Sequence, residues 1–289
     1  MIMMRDNEYA TKWKQAMPMP SGLMGRSRGF LRSATLHTLS LLDRSLGDRF
    51  LRCLYCHNVF DDQLERFERL LLHLKHQGTF IDTETCLQML KGEKVIDNRY
   101  YHLSFDDGFR NNFINAFPIL KKHHIPCIFF VPSSLIDINW DKTKKYCLET
   151  AGYKGVIETL KWEDLLEMVS SGYEIGSHTR THSRLTTISN DPKLLEDAVL
   201  GSKKELEAHL GVECRYISWP YGRLTDKDTI SLEIIKRAGY RASFGAFRGL
   251  VIPQVTNIFS IPRHHFEVHW PLSHVEYFSR GNMETGCLC

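Results

Sequence analysis

A mostly parallel α/β sheet is the fold class this chain predicts. Three observations lead there. Apolar strand-like runs alternate with helix-patterned segments along the chain. Cys127–Val131 is apolar almost throughout, as a strand covered on both faces must be. Glycine and proline punctuate the joins. Closure of such a sheet into a barrel is the economical arrangement.

In chain order, residues 1–48 read as an N-terminal extension, partly helical or flexible, broken by Pro18-Met-Pro-Ser-Gly22. Residues 49–289 read as the main domain, with its core motifs in 100–265. Leu51–Cys56 is a short buried strand. Asp61–Gln77 follows as a helix with Leu64, Phe67, Leu70, Leu71 and Leu74 on one stripe, stopped by Gly78 as a C′ glycine. Tyr101–Phe105 is a strand and Asn111–His123 a helix interrupted by Pro118. Trp162–Ser170 is a helix closed by Gly172, and Tyr173–Gly176 is the strand leading to His178. Asp191–Leu210 is the longest helix, with Asp191-Pro192 as N-cap and first position and Gly211 beyond its end. Cys214–Trp219, Tyr240–Phe244 and Asn257–Pro262 complete the strands, with a helix at Thr225–Ala238.

Composition narrows the function classes. A net charge of +3 is too small to argue for nucleic acid. The eight cysteines are scattered through a long chain, unlike the framework of a small disulfide-stapled domain. Met1–Gln15 is polar, and no apolar run approaches the roughly 18–20 residues a bilayer requires. These features predict a cytoplasmic protein without a transmembrane segment. The mixture of arginine and apolar residues over Arg26–Leu46 is compatible with an amphipathic helix, hence with peripheral contact at the inner face of a membrane through 26–46. Cys53-Leu-Tyr-Cys-His57 matches a haem attachment pattern, but that chemistry needs export, and buried strand positions commonly carry small thiols. A zinc site that joins this pair to Cys287 and Cys289 is a minor reading that ranks above haem attachment.

The polar residues concentrate at predicted strand ends. Ser104-Phe-Asp-Asp-Gly108, Gly176-Ser-His-Thr-Arg-Thr-His182 and Ser218-Trp-Pro-Tyr-Gly222 each follow a strand, and such ends gather on one face of a parallel barrel. Two histidines and a carboxylate suit Zn²⁺ or another borderline divalent ion, leaving a neighbouring carboxylate free to take a proton from water. Alone, each motif is bland. Asp-Asp-Gly is commonly a turn, the chain contains a second Asp-Asp at Asp61-Asp62, and His265 and His269 form a second His-x-x-x-His pair.

In combination and in this order the motifs resemble the polysaccharide deacetylases, the NodB-homology carbohydrate esterases. The first motif of that family, [Thr/Ser]-Phe-Asp-Asp-Gly, is matched by Ser104–Gly108. The second, His-[Ser/Thr]-x-x-His, is matched by His178, Thr179 and His182, and the third by Pro220, Tyr221 and Gly222. Tyr55-Cys-His57 with Val59 is similar to the Tyr-His-x-Val opening of one branch. The resemblance implies a distorted, NodB-like (β/α) barrel of seven or so parallel strands. It also implies a divalent metal, Zn²⁺ first with Co²⁺ or Ni²⁺ as alternatives, held by Asp107, His178 and His182. Asp106 would be the general base, with the backbone N–H of Tyr221, beside Pro220, receiving the oxyanion. Thr179 would brace the histidine loop. The reaction implied is removal of N-acetyl groups from an N-acetylated sugar or polysaccharide precursor.

The chain departs from the family pattern twice. An arginine common two residues before the third-motif proline is replaced by Ser218, and Arg263 could supply that charge, with Arg215 the weaker candidate. A general-acid histidine is expected near the last strand, where His264 and His265 stand in a poorly matching context. Two other readings stay open: a degenerate saccharide-binding protein, and another amide hydrolase on the same scaffold.

Overall fold

The computed structural model describes residues 8–17 and 49–280. Its strands are β1 (Phe50–Cys56), β2 (Thr79–Ile81), β3 (Arg99–Phe105), β4 (Ile128–Val131), β5 (Glu174–Ser177), β6 (Tyr216–Ser218), β7 (Ala242–Phe244) and β8 (His264–His265). Every pairing between them is parallel, in the order β7-β6-β5-β4-β3-β1-β8, so seven strands curl into a half-barrel. The eighth, β2, pairs with Tyr100–His102 of β3, below the point where β4 pairs with Ser104 and Phe105.

Alternate strand residues enter two different cores, as the period of two requires. Leu54, Leu103, Phe105, Phe129, Val131 and Ile217 pack outward against helices such as Leu64–Gln77 and Trp162–Ser170. Leu51, Cys53, Ile128, Phe130, Tyr216 and Phe244 fill the interior, floored by the helix Thr83–Lys91. Cys53 and Cys56 therefore face opposite sides of β1, which removes the haem-attachment geometry.

The gap between β7 and β1 is spanned by one stretch of chain. Ile261 bridges Phe244 of β7, and His264 and His265 then pair with Leu54 and Tyr55 of β1. The sequence placed the last strand at Asn257–Pro262, and the structure moves it to His264–His265. Asn257 is engaged in a turn, its Oδ1 accepting from Phe259 N at 2.9 Å and its carbonyl from Ser260 N at 2.8 Å. Pro262 has no N–H to give to a ladder. The shift decides which side chains of this segment look into the barrel.

The sequence overlooked β2, the helix Thr83–Lys91, the helical turns over Trp140–Lys145 and Tyr146–Thr150, and the final helix Leu272–Ser279. The expected long helix is present as Pro192–Glu196, a wide turn Asp197–Gly201 and Ser202–Leu210, with Asp191 capping Lys193 N and Leu194 N, both at 3.1 Å. Residues 8–17 of the extension lie against the domain: Ala10 N donates to Val156 O at 2.7 Å and Asp61 N to Thr11 O at 3.0 Å. Ala10 and Ala16 are buried beside Phe60, Phe109 and Tyr146. The amphipathic stretch 26–46 and the pair Cys287 and Cys289 lie outside the described residues. Among the described residues, no helix is long and apolar enough to cross a membrane.

Gly78 corrects one local expectation. Its φ of −167° is extended, so it is no left-handed cap. It is glycine because a Cβ would lie 2.4 Å from the Arg99 carbonyl oxygen and 2.9 Å from the Tyr101 ring. Gly78→Ala should cost about 1–3 kcal/mol in urea unfolding. Gly78→Asn, which a left-handed cap would accept, should be no better; full tolerance of Asn would contradict the packing account.

Candidate active site

Three loops at the C-terminal ends of β3, β5 and β6 bring the polar motifs together. Asp106 and Asp107 leave β3, His178 and His182 follow β5, and Tyr221 follows β6. The backbone there is held in unusual conformations. Asp107 (φ 75°), Thr179 (φ 61°), His182 (φ 58°) and Tyr221 (φ 64°) are four of the seven non-glycine residues with positive φ among the described residues. Such clustering is typical of functional sites, where the surrounding fold holds the strain in place. Gly222 (φ 69°) follows Tyr221, and a Cβ on it would lie 2.2 Å from the Ala246 Cβ. Thr179 braces its loop: its Oγ1 accepts from Ser183 N at 3.2 Å, and its own N–H donates to Ser177 Oγ at 3.2 Å.

The two aspartates face different partners. Asp106 is gripped by Arg263, whose Nη1 donates to Oδ1 at 2.8 Å and Nη2 to Oδ2 at 2.6 Å. Arg263 also donates to Ser104 Oγ at 2.9 Å, Ser218 Oγ at 2.6 Å and the Gly245 carbonyl at 2.7 Å. Its guanidinium is wholly buried and lies 4.5 Å from the Tyr55 ring centroid, so the interior aromatics frame the charge. Burial works to raise the Asp106 carboxyl, and Arg263 and His178 outweigh it, leaving the group below its ordinary value and ionised at neutral pH. The serine that replaces the expected arginine in the third motif is thus one of the groups that orient Arg263. Arg215 takes no part; it pairs with Glu174 at the start of β5.

Among the described residues, no arginine pairs with Asp107. His182 Nε2 lies 3.1 Å and His178 Nε2 3.4 Å from its Oδ1. His178 Nδ1 is 2.7 Å from the Ser218 carbonyl oxygen. A carbonyl only accepts, so Nδ1 carries a proton and Nε2 is the nitrogen left to face Asp107 and a cation. Burial opposes ionisation of Asp107, but His57, His178 and His182 together hold it well below the usual carboxylate range. The donor atoms of Asp107, His178 and His182 lie within 4.8 Å of one another, all buried. Two imidazoles and a carboxylate, with the outer nitrogen of one ring already fixed, are a donor set that fits a borderline divalent cation. Tyr146 steadies the loop by donating its hydroxyl to the Asp107 carbonyl at 3.2 Å.

The two histidines of β8 part company. His264 faces outward, its Nε2 3.3 Å from Arg52 Nη1, and lies outside the site. The period of two puts Arg263, His265 and Glu267 on the inner side instead. His265 Nε2 lies 2.9 Å from Glu267 Oε1, but its ring reaches His57, centroids 5.0 Å apart, rather than Asp107. His57, two residues beyond Tyr55, stands between the carboxylates, 4.0 Å from Asp107 Oδ2 through Nε2 and 3.9 Å from Glu267 Oε1 through Nδ1. Burial works against its charge, yet Asp107, Glu267 and Asp106 raise it to about 9. The Tyr-x-His spacing was visible in the sequence; the role of His57 was not, because it depends on which strand closes beside β1. Tyr221 is 41% exposed, its ring 5.2 Å from that of His182 and 4.0 Å from the Arg184 guanidinium, while Pro220 behind it is buried.

Comparison with known proteins adds to this geometry. The family model described as Polysaccharide deacetylase matches residues 94–243, just over half of the chain. A Staphylococcus aureus (strain MRSA252) protein, poly-beta-1,6-N-acetyl-D-glucosamine N-deacetylase, is 27% identical over 208 residues, covering 68% of this chain and 65% of its own. YxkH of Bacillus subtilis (strain 168), which carries a provisional polysaccharide deacetylase name, is 26% identical over 170 residues, covering 59% of this chain and 52% of its own. The chain thus spans only about half to two-thirds of these curated relatives. Among solved structures, IcaB from Ammonifex degensii superposes with TM-score 0.66 at 23% identity, over 81% of this chain and 98% of that one. The Streptococcus pyogenes deacetylase PplD superposes with TM-score 0.62 at 19% identity, over 80% and 97%. At these identities the likeness speaks to the fold.

The ion pair at the barrel mouth yields a stability test. Arg263→Met strands a buried carboxylate and should destabilise the protein by about 3–5 kcal/mol in chemical unfolding. Removing the carboxylate as well, in Asp106→Asn/Arg263→Met, should recover a sizeable part of that loss, whereas additive losses would contradict direct coupling.

Proposed function

The chain belongs to the polysaccharide deacetylase family, and on that premise we propose that it is a metal-dependent hydrolase acting on an N-acetylated hexosamine saccharide. One observation carries the reading: two consecutive buried carboxylates are divided, Asp106 to an arginine and Asp107 to two histidines. A binding module has no need of that division, whereas hydrolysis needs both a cation site and a proton acceptor beside it.

Asp107, His178 and His182 are the residues that would hold the ion, with Zn²⁺ the first choice and Co²⁺ or Ni²⁺ alternatives suited to the same donors. When bound, such an ion supplies Lewis acidity toward the acetamide carbonyl. Asp106 accepts the proton of the attacking water, and Arg263 fixes the direction from which it does so. The N–H of Tyr221, held at φ 64°, is the proposed donor to the developing oxyanion. His57 gives a proton to the departing amine, in place of His264, which faces away, and of His265, which stands behind it. Amide and water become acetate and free amine. The name of the Staphylococcus aureus relative makes β-1,6-linked N-acetylglucosamine oligomers the first substrate to try.

Acetate release from those oligomers should appear with Zn²⁺ or Co²⁺ and vanish after chelation. His57→Gln should slow it by about 10²–10⁴-fold while leaving the ion bound. Absence of release from every N-acetylated saccharide in the metal-loaded protein would contradict the reading, and full activity of His57→Gln would remove the assigned acid.

A further inference from the structure

We propose that His57, His265 and Glu267 form a second divalent-cation site, distinct from Asp107, His178 and His182, whose occupation inhibits the enzyme.

The register of two parallel strands builds it. Tyr55 pairs with His265, so His57 and Glu267, each two residues further on, rise from the same face. His57 Nδ1 lies 3.9 Å and His265 Nε2 2.9 Å from Glu267 Oε1, and the donor atoms of the three residues lie within 4.8 Å of one another. His265 Nε2, although 2.9 Å from Glu267 Oε1, is buried with no hydrogen-bond partner among the described residues. Two imidazoles and a glutamate are a set used by zinc in hydrolytic sites. All three residues are part-exposed, which leaves an entry path.

Its place beside the first cluster sets its consequence. His57 presents Nε2 to Asp107 and Nδ1 to Glu267, so one ring separates the two donor sets. Two dications across one ring repel, and the second set is less buried than the first. The second ion should therefore bind more weakly. Its effect on activity rests on the role given to His57 above. An ion on Nδ1 leaves Nε2–H as the N–H of a neutral imidazole, a much weaker acid than imidazolium, so proton delivery to the amine stops. The wild-type enzyme should gain activity with the first equivalent and lose it with the second.

The test is equilibrium dialysis of the chelator-stripped full chain against Zn²⁺, beside acetate release at the same free Zn²⁺. Wild type should take up a tight and a weak equivalent. Glu267→Gln and His265→Asn should each weaken only the second by at least about 10–100-fold in the dialysis, and His265→Asn should also abolish inhibition by excess Zn²⁺. Asp107→Asn should lose the tight equivalent and keep the weak one. Near-UV circular dichroism identifies any variant that fails to fold, and the other then decides. Equal zinc uptake by wild type and the folded variants would overturn the proposal, as would a single equivalent in wild type. No acetate release at any Zn²⁺ level would instead overturn the deacetylase reading, because the stoichiometry is read without turnover.

Discussion

The site depends on a guanidinium buried inside a barrel. Arg263 has no exposure to solvent, and every nitrogen it carries is directed at a fixed acceptor: Asp106, Ser104, Ser218 and the Gly245 carbonyl. Such a charge is costly to bury and tolerable only when its donors are met. Meeting them draws β3, β6 and the chain after β7 to one point, because the acceptors belong to those three parts of the sheet. The pair also settles the neighbouring carboxylate. With Asp106 held by arginine, Asp107 is left to histidines alone, and with His178 and His182 it makes a donor set suited to a cation.

The strained loops follow from the same requirement. Consecutive aspartates at the end of a strand would point to opposite sides if the strand continued. Leaving the strand at Asp107 with φ 75° instead keeps both carboxylates at the barrel mouth. His178 and His182 converge on one oxygen because both Thr179 and His182 adopt positive φ, and Thr179 bridges the loop with its hydroxyl. The free energy stored in these conformations is supplied by the packed strands beneath them, whose interior cluster of Phe130, Tyr216 and Phe244 is fully or almost fully buried.

Much of this was legible in the sequence, unevenly. Strand-helix alternation located β1, β3, β4, β5, β6 and β7, because buried parallel strands are apolar runs. The three motifs marked the strand ends. What stayed hidden turns on β8, a strand of two residues whose apolar signal is displaced onto Ile258, Phe259 and Ile261. Reading the strand too early left the inward set Arg263, His265 and Glu267 unrecognised as one face, so Glu267 went unnoticed and His264 was grouped with His265. His57 was hidden for the same reason, since its partners come from the far end of the chain. Gly78 shows a further limit: a glycine after a helix is equally well explained by a left-handed cap or by a close backbone, and only the neighbouring strand distinguishes them.

The division of labour between Asp106 and Asp107 is the centre of this account, and one comparison addresses it most directly. Zinc bound per chain should be measured in Asp106→Asn and Asp107→Asn, purified without chelator and with the folded state checked. Asp106→Asn should retain the tightly bound ion while releasing no acetate, and Asp107→Asn should lose that ion. Loss of the tight ion from Asp106→Asn and its retention by Asp107→Asn would show the two carboxylates to be assigned the wrong way round.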